Sequence, residues 1–415
     1  MAENLTDTKA LTRRIKTHVV GPQHRFLVAV PPELTPICLK EISGLDIQGP
    51  ETVDAGVEFS GKLKDAYICN LWLRTAGRVL CRLTPFRAGT AEELFHKSSR
   101  IPWELWLDPD LALDIETQVE YSRIRHEGRV AEVISGSIEK RLRDSKPARF
   151  ADSRTQGNLR ACTVEGVLQS DEAGLNQKIL VRLIENHCRI SLDTSGPHLH
   201  RRGYRLHHTG APLRETLAAA IIFKSEWRGN EPLVDGMCGS GTFPVEAALI
   251  ARKFAPGLGR GFLFQRWPSF QKETWEYLCR KAKETCLLKT PVRILGIDID
   301  PGAIGVAAEN ANRAGVGGDV EWDRMDFFEF KPGKIGLGNG LLVLNPPYGI
   351  RLGSGGISLY ERIGAHLRLY FKGWKYAILA GSRAEAAAMG TGRLRLWNIR
   401  HGGIPVTVAF GRVTG

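Results

Sequence analysis

The sequence lacks the patterns that mark membrane-spanning, secreted and zinc-thiolate proteins. No apolar run approaches the roughly 20 residues of a membrane-spanning helix, and residues 1–16 are polar and mixed in charge, unlike a signal peptide. The 8 cysteines include no CxxC pair, which argues against both a disulfide framework and a thiolate zinc site. These absences predict a cytoplasmic protein with reduced cysteines, no membrane contact and about two or three domains.

Acidic side chains are scarce in two stretches of the chain. Residues 194–214 contain none, and from residue 351 onward 10 basic residues face 2 acidic ones, within a chain of net charge +12. An uneven basic surface fits a polyanionic partner such as nucleic acid. Ordinary solubility charge fits about equally well, so composition alone leaves the partner open.

The two halves of the chain differ in the pattern of their apolar residues. Residues 1–22 contain few apolar residues and are expected to form a loose leader. Short apolar runs then predict strands at 26–30, 79–83, 111–119, 161–169 and 187–193, with an amphipathic basic helix at 129–143. After about residue 211, short apolar strands alternate with helical segments, which predicts a parallel sheet with helices on its faces.

The strongest chemical signal is the run LVDGMCGSGTFPVEAALIA at 233–251. An apolar strand ends in an acid, and a glycine-rich turn leads into a helix. The glycines let a ligand approach the backbone closely, and a helix N-terminus offers free N–H groups, as a nucleotide-like cofactor requires. The run is neither a Walker P-loop, since no GK[ST] follows, nor a full GxGxxG fingerprint. Taken alone, a purely structural turn would be the usual interpretation.

Acids at later strand ends strengthen the interpretation of the glycine-rich turn as part of a cofactor site. The strand VRILGIDID at 292–300 ends in Asp298 and Asp300, and an acid there can accept bonds from both ribose hydroxyls. In MDFFEF at 325–330, Asp326 is placed to accept a bond from an adenine amine, although a lone surface acid is the more common case.

A fourth run, NPPYG at 345–349, directly follows an apolar strand. Asn345 offers an amide oxygen, the two prolines stiffen the loop and free carbonyl groups, and Tyr348 offers a ring for stacking. This combination suits a planar amine, and it is far more specific than a generic proline turn.

The order of DGMCGSGT, GIDID, MDFF and NPPYG resembles the class I S-adenosylmethionine-dependent methyltransferases that modify exocyclic amines of nucleobases. The runs at 26–45, 70–80 and 193–221 resemble bacterial THUMP-domain RNA methyltransferases, closest to the enzymes that form N2-methylguanosine in 23S ribosomal RNA. One departure is Gly236 after Asp235, where members usually have proline; the more flexible turn is still expected to bind cofactor.

The resemblance implies an α/β Rossmann-like methyltransferase domain, with a parallel-dominated sheet and helices on both faces, preceded by an α+β ferredoxin-like and THUMP region. The implied division is a loose leader at 1–22, a ferredoxin-like domain at 23–95, a THUMP RNA-binding domain at 96–194, a basic connector and helix at 195–230, and the catalytic domain at 231–415.

The resemblance also implies a cofactor, S-adenosyl-L-methionine, and a target-base loop. Cofactor residues carried over from the motifs are Asp235, Gly236, Cys238, Gly239, Ser240, Gly241, Thr242, Asp298, Ile299, Asp326, Phe327 and Asn345. The implied catalytic residues are Asn345, Pro346, Pro347 and Tyr348. The Asn345 side-chain oxygen and the Pro346 carbonyl would accept bonds from the guanine N2 amine, while Tyr348 stacks on the base.

Substrate binding is assigned to basic residues outside these motifs. The predicted RNA-binding residues are Lys140, Arg141, Arg143, Arg201, Arg202, Tyr204, Arg205 and Arg351. A solvated linker or helix face is the alternative for both clusters. A metal site formed by His198, His200, His207 and His208 is a weaker alternative, since no carboxylates accompany them at helical spacing, and no metal is predicted.

The sequence thus predicts methyl transfer to the N2 amine of a guanosine, with 23S ribosomal RNA as the first candidate substrate. Three alternatives stay open: a transfer RNA guanosine-N2 methyltransferase, an adenine-N6 DNA methyltransferase that shares NPPY, and an inactive RNA-binding module.

Overall fold

A computed structural model describes residues 2–145, 176–205, 213–347 and 356–414, with side chains from residue 9 onward. These residues divide into two compact units. The first comprises 2–145, 176–199 and 260–280, and the second comprises 200–205, 213–259, 281–347 and 356–414. The predicted strand at 161–169, together with Tyr348, Arg351, His207 and His208, lies outside the described residues.

The N-terminal segment is helical, so the prediction of a loose leader is wrong. Helix α1 (Ala2–Ile15) continues into a π-helical turn, Lys16–Val20. Arg14 forms an ion pair with the buried Glu104, and Val19 is fully buried. The Val19 carbonyl also accepts a hydrogen bond from Nε2 of His24 at 2.6 Å. Tertiary contacts therefore order a segment that has few apolar residues of its own.

The remaining elements of the first unit build one mixed sheet. They are β1 (His24–Ala29), α2 (Thr35–Ser43), β2 (Glu51–Val53), β3 (Gly56–Gly61), α3 (Leu63–Trp72), β4 (Arg78–Arg82), β5 (Phe86–Arg87), α4 (Ala91–Ser99), β6 (Leu113–Glu120), α5 (Glu127–Asp144), β7 (Gln177–Ile184) and β8 (His187–Asp193). The strand order is β2-β3-β1-β4-β8-β7-β6, with β5 paired to β8. All described pairs are antiparallel except β6 with β7.

One face of this sheet forms the core of the first unit. Phe26, Cys81, Ile190 and Val181 point to this face and are at most 1% exposed. The predicted strands at 26–30, 79–83, 111–119 and 187–193 and the predicted helix at 129–143 coincide with β1, β4, β6, β8 and α5, with small shifts at their ends.

The second unit alternates strands and helices. Its elements continue with α6 (Glu215–Lys224), β9 (Leu233–Asp235), α7 (Thr242–Ala251), α8 (Lys272–Thr285), β10 (Ile294–Asp298), α9 (Pro301–Arg313), β11 (Glu321–Arg324), β12 (Leu341–Leu344), α10 (Gly356–Tyr370), β13 (Lys375–Ala380), α11 (Arg383–Ala388), β14 (Arg395–His401) and β15 (Ile404–Arg412). The first nine residues of α8, 272–280, are counted with the first unit.

The sheet of the second unit has the order β11-β10-β9-β12-β13-β15-β14. The strands from β11 to β13 are parallel, and β15 is antiparallel to both of its neighbours. Strand β9 lies between β10 and β12, so the chain order reverses there and the loops after these strands diverge, which opens a crevice at their carboxyl ends. The predicted Rossmann-like, parallel-dominated fold is confirmed.

Candidate active site

The glycine-rich turn after β9 is fixed by its backbone. Cys238 N donates to Ile297 O at 2.9 Å, and Gly241 N donates to Cys238 O at 2.8 Å. Gly239 and Gly241 have φ angles of +51° and +81°. A Cβ on Gly241 would lie 2.8 Å from the ring of Trp322. The turn therefore needs glycine at 241 for both its backbone conformation and its close packing.

Asp298, the last residue of β10, holds this turn in place. Its Oδ2 accepts a hydrogen bond from Gly239 N at 2.8 Å, and its Oδ1 accepts one from Asp300 N at 3.0 Å. A carboxylate oxygen has lone pairs for more than one bond, so both oxygens retain capacity for ligand hydroxyls. The adjacent Ile299 side chain is 66% exposed and offers an apolar surface beside them.

Asp235 occupies the buried end of β9. It is 1% exposed, and Met237 N donates to its Oδ1 at 3.3 Å. Burial, reinforced by the negative charge of Asp298, raises the pKa of the Asp235 carboxyl well above its ordinary value. The folded protein therefore holds the Asp235 proton more tightly than the unfolded chain does.

This tight proton binding predicts a pH-dependent effect of Asp235→Asn. Between the ordinary aspartate pKa, about 3.9, and the raised folded value, the wild type loses stability as pH rises, because only the unfolded chain has released the proton. The variant has no such loss. Its free energy of unfolding relative to wild type should therefore increase with pH, by at most about 1.4 kcal/mol per pH unit. Urea titrations from pH 4 to pH 7 measure this; a flat difference would contradict the assignment.

Asp326 and Phe327 follow β11 at the neighbouring sheet edge. Asp326 begins a 3₁₀ turn, where its Oδ1 accepts from Phe328 N at 3.0 Å, and its Oδ2 lies 3.8 Å from Nη2 of Arg362. The Arg362 guanidinium stacks over Phe328 at 3.6 Å. Phe327 is 2% exposed, so its ring lies in the core against His366 rather than on the surface.

Asn345 follows β12 directly, and its side-chain oxygen is buried without a hydrogen-bond partner among the described residues. Pro346 is buried and Pro347 is exposed. An unpaired buried amide oxygen is costly in a folded protein, since its hydrogen bond to water has been lost. An amine that reaches this oxygen would remove that cost.

Backbone contacts bring the three strand ends together. Gly236 N donates to Val343 O of β12 at 3.4 Å, and the turn after β9 bonds to Ile297 of β10 as given above. Asp235, Asp298 and Asn345 are therefore brought to one crevice, as the sequence predicts for strands with adjacent carboxyl ends. Ser240 joins the same turn through its carbonyl, which accepts from Asn310 Nδ2 at 3.0 Å.

The structure contradicts three of the predicted RNA contacts, because Arg202, Tyr204 and Arg205 are internal to the second unit. Arg202 and Tyr204 are 5% and 3% exposed, and both approach the fully buried Glu246 of α7. The Arg205 side chain is 7% exposed and meets Glu215 and Thr242. Arg202 and Arg205 neutralise buried carboxylates, and Tyr204 donates to Glu246, so these side chains do not face RNA phosphates. The charge of Glu246 inside the apolar run PVEAALIA was a signal of this buried network.

The prediction that Arg141 contacts RNA is also corrected, because its guanidinium is paired with Glu104. Nε and Nη2 donate to the two carboxylate oxygens, each at 2.9 Å, and this pairing raises the pKa of Arg141. Lys140 pairs with Asp144 at 3.2 Å on the surface of α5. Arg143 and Arg201 are exposed and stay predicted RNA contacts.

The described residues contain neither a candidate metal site nor a membrane-spanning helix. No group of three or more His, Cys, Asp or Glu side chains in those ranges could hold a metal ion, and His198 and His200 join no such group. In the same part of the chain, no helix is long and apolar enough to cross a membrane.

Comparison with known proteins gives two family matches. The model described as "RMKL-like, methyltransferase domain" matches residues 202–409, and the model described as "RlmL ferredoxin-like domain" matches residues 25–80. "Putative RNA methyltransferase slr0064" of Synechocystis sp. is 31% identical over 388 residues, which cover 92% of this chain and 95% of that protein.

Longer relatives and a solved structure extend the comparison. "Ribosomal RNA large subunit methyltransferase K/L" of Psychromonas ingrahamii is 36% identical over 84% of this chain, but the match covers only 44% of that protein. The chain thus spans about half the length of such relatives. The crystal structure of "SMU.472, a putative methyltransferase complexed with SAH" is 28% identical, with a TM-score of 0.78 and coverage of 95% of this chain and 99% of that one.

Proposed function

Because the chain belongs to the RMKL-like methyltransferase domain family, we propose that it transfers a methyl group from S-adenosyl-L-methionine to RNA in the cytoplasm. The finer proposal is that the acceptor is the exocyclic N2 amine of a guanosine in 23S ribosomal RNA. Relatives named for ribosomal RNA methylation support the substrate, and a neighbour solved with SAH supports the cofactor. The observation that carries the proposal is the buried Asn345 oxygen at the end of β12, which has no hydrogen-bond partner in the described parts of the chain.

The residues of the crevice fit the proposed cofactor. Asp298 has acceptor capacity left for ribose hydroxyls, Ile299 exposes an apolar side chain beside it, and the turn at 238–241 allows close backbone approach. When bound, S-adenosyl-L-methionine would supply an electrophilic methyl group. Asp326 would accept a bond from the adenine amine; its present neighbour Arg362, at 3.8 Å, is exposed enough to give way.

The chain's own contribution to chemistry is to position the acceptor amine. The Asn345 oxygen and the Pro346 carbonyl would each accept one N–H of the guanine amine, which fixes the direction of the nitrogen lone pair. Tyr348 would stack on the base. No strong base is needed, because the amine becomes acidic once methylated and can then lose its proton to solvent.

We also propose the domain roles that the sequence implies. Residues 23–95 and 96–194 would form the ferredoxin-like and THUMP regions that bind RNA, 195–230 would connect them to the catalytic part, and 231–415 would hold the active site. Within this scheme Lys140, Arg143, Arg201 and Arg351 remain candidate RNA contacts.

A transfer assay tests the proposal directly. Purified protein is incubated with labelled S-adenosyl-L-methionine and either RNA from a strain lacking the gene or unmethylated DNA, and modified nucleosides are identified by mass spectrometry. Label on N2-methylguanosine in large-subunit ribosomal RNA is the expected result, and label in transfer RNA would move the substrate to that class. Label on DNA alone, or none on either substrate, would refute the proposal in favour of an adenine-N6 DNA methyltransferase or an inactive binding module.

A further inference from the structure

Four arginines lie on one face of the sheet in the first unit. Arg25 of β1 is directly opposite Arg82 of β4, and Arg182 of β7 is directly opposite Arg189 of β8. Arg82 is also opposite Ser191, which follows Arg189 by two residues along β8. Since side chains alternate between faces along a strand, all four arginines share a face.

The arginine face lies opposite the core face, and at β1 and β4 it is buried as well, since Leu27 and Leu80 on it are 5% and 3% exposed. The intervening residues Phe26, Cys81, Ile190 and Val181 point the other way and are at most 1% exposed. Arg182 and Arg189 are exposed, whereas Arg82 is 9% exposed. The arginine face is therefore open at β7 and β8 among the described residues.

The two arginine pairs differ in how their charge is balanced. Glu58 accepts from Arg25 Nε at 2.8 Å and from Arg82 Nη1 at 2.7 Å. No ion pair among the described residues involves Arg182 or Arg189. Burial lowers the pKa of Arg82, Glu58 opposes that shift, and the positive charges of Arg189 and Arg182 add to it, so the cations are close enough to repel one another.

Like charges directly opposite one another weaken a sheet, so Arg182 and Arg189 are an unfavourable pair in the isolated protein. An anion bound between them would replace their mutual repulsion by attraction of both to the anion. The planar guanidinium fork matches phosphate oxygens. The pair is extended by Arg87 and His187, which are also opposite one another and exposed. Beside Arg182 on β6 is the neutral Gln118.

We propose that Arg182 and Arg189 bind consecutive phosphates of the RNA substrate on this arginine face, an inference that rests on the proposed function. A protein partner would be expected to need large apolar anchors. Of the exposed large apolar side chains, β7 and β8 carry Ile184, at 36% exposure. The charge pattern of these strands thus suits a polyanion better than an acidic protein.

The test is the salt dependence of RNA binding. Each phosphate contact to a single strand contributes about 0.7 to the slope of log affinity against log salt concentration. The double variant Arg182→Gln/Arg189→Gln should therefore lower the magnitude of the slope by about 1.4 for a fluorescein-labelled single-stranded RNA of mixed sequence. The matched control is Lys40→Gln/Lys64→Gln, which removes two exposed cations from helices α2 and α3 and should leave the slope near the wild-type value.

Thermal unfolding separates RNA binding from a structural role of the two arginines, and methyl transfer by the wild type tests the proposed function independently. Removing two opposed like charges should leave Tm unchanged or raise it, whereas a structural role would lower it. An unchanged slope in the double variant, or an equal loss in the control, would overturn the RNA assignment and leave an acidic protein as the partner. If the double variant shows the predicted slope change but the wild type transfers no methyl group, the proposed function fails while the RNA-binding assignment of the arginine face stands.

Discussion

Asn345→Ala is expected to reduce methyl transfer by roughly 10²–10³-fold while leaving cofactor affinity close to the wild-type value. This is the range seen when one precisely oriented polar contact to the reacting group is removed from an active site. Although the resemblance also places Asn345 among the cofactor residues, its proposed bond is to the acceptor amine. The main proposed cofactor contacts lie in the turn at 238–241 and at Asp298, which the substitution leaves in place. Single-turnover rates with labelled cofactor, together with calorimetric titration of the cofactor, measure the two quantities separately.

The stability of the Asn345 variant distinguishes a functional from a structural role. Because the Asn345 oxygen has no partner among the described residues, its removal breaks no hydrogen bond there and should leave Tm unchanged or raise it. Asn339→Ala, at an exposed position just before β12, is the matched control and should keep full activity. Parallel loss of cofactor affinity and turnover, or a clear fall in Tm, would contradict the role given to Asn345.

The site was predictable from sequence where its signals are local. Asp235, Asp298 and Asn345 each follow a short apolar strand, and parallel strands place such residues at one sheet edge whatever the details of packing. The glycine turn and the class of the fold follow from the same local alternation. The predicted family resemblance is likewise confirmed by the match over residues 202–409.

The predictions failed where a charge is neutralised by a distant part of the chain. Arg202 and Tyr204 resemble a solvated basic linker in sequence, yet both meet Glu246, which is separated from them by the whole of α6 and β9. Arg14 is paired with Glu104 in the same way. Spacing cannot reveal such partners, because ion pairing between remote residues depends on the completed fold. The arginine face was missed for a related reason, since it becomes visible only in the strand register.

Gly236→Ala is expected to destabilise the protein by about 1–3 kcal/mol, the usual cost of forcing atoms into a packed core. A Cβ at this position would lie 2.3 Å from Cδ2 of Phe327 and 2.9 Å from Cδ2 of Leu344. Phe327 is held against His366 and Phe371, so its ring cannot move without disturbing that cluster. Since Asp235 directly precedes Gly236 and Asp326 directly precedes Phe327, cofactor affinity should fall as well. Urea denaturation and cofactor titration measure the two effects.

The same substitution at Gly305 is the control, because a Cβ there meets nothing within 4 Å and the position is exposed in α9. Gly305→Ala should stabilise the helix by about 0.5–1 kcal/mol. Replacing the Phe327 ring by a smaller side chain provides the decisive comparison. In a Phe327→Leu background, Gly236→Ala should lower the free energy of unfolding clearly less than it does in the wild type. If the cost is the same in both backgrounds, the clash with Phe327 is not its cause. A positive coupling would instead show that glycine after Asp235, where the resembling family usually has proline, is required by the phenylalanine that fills the space above it.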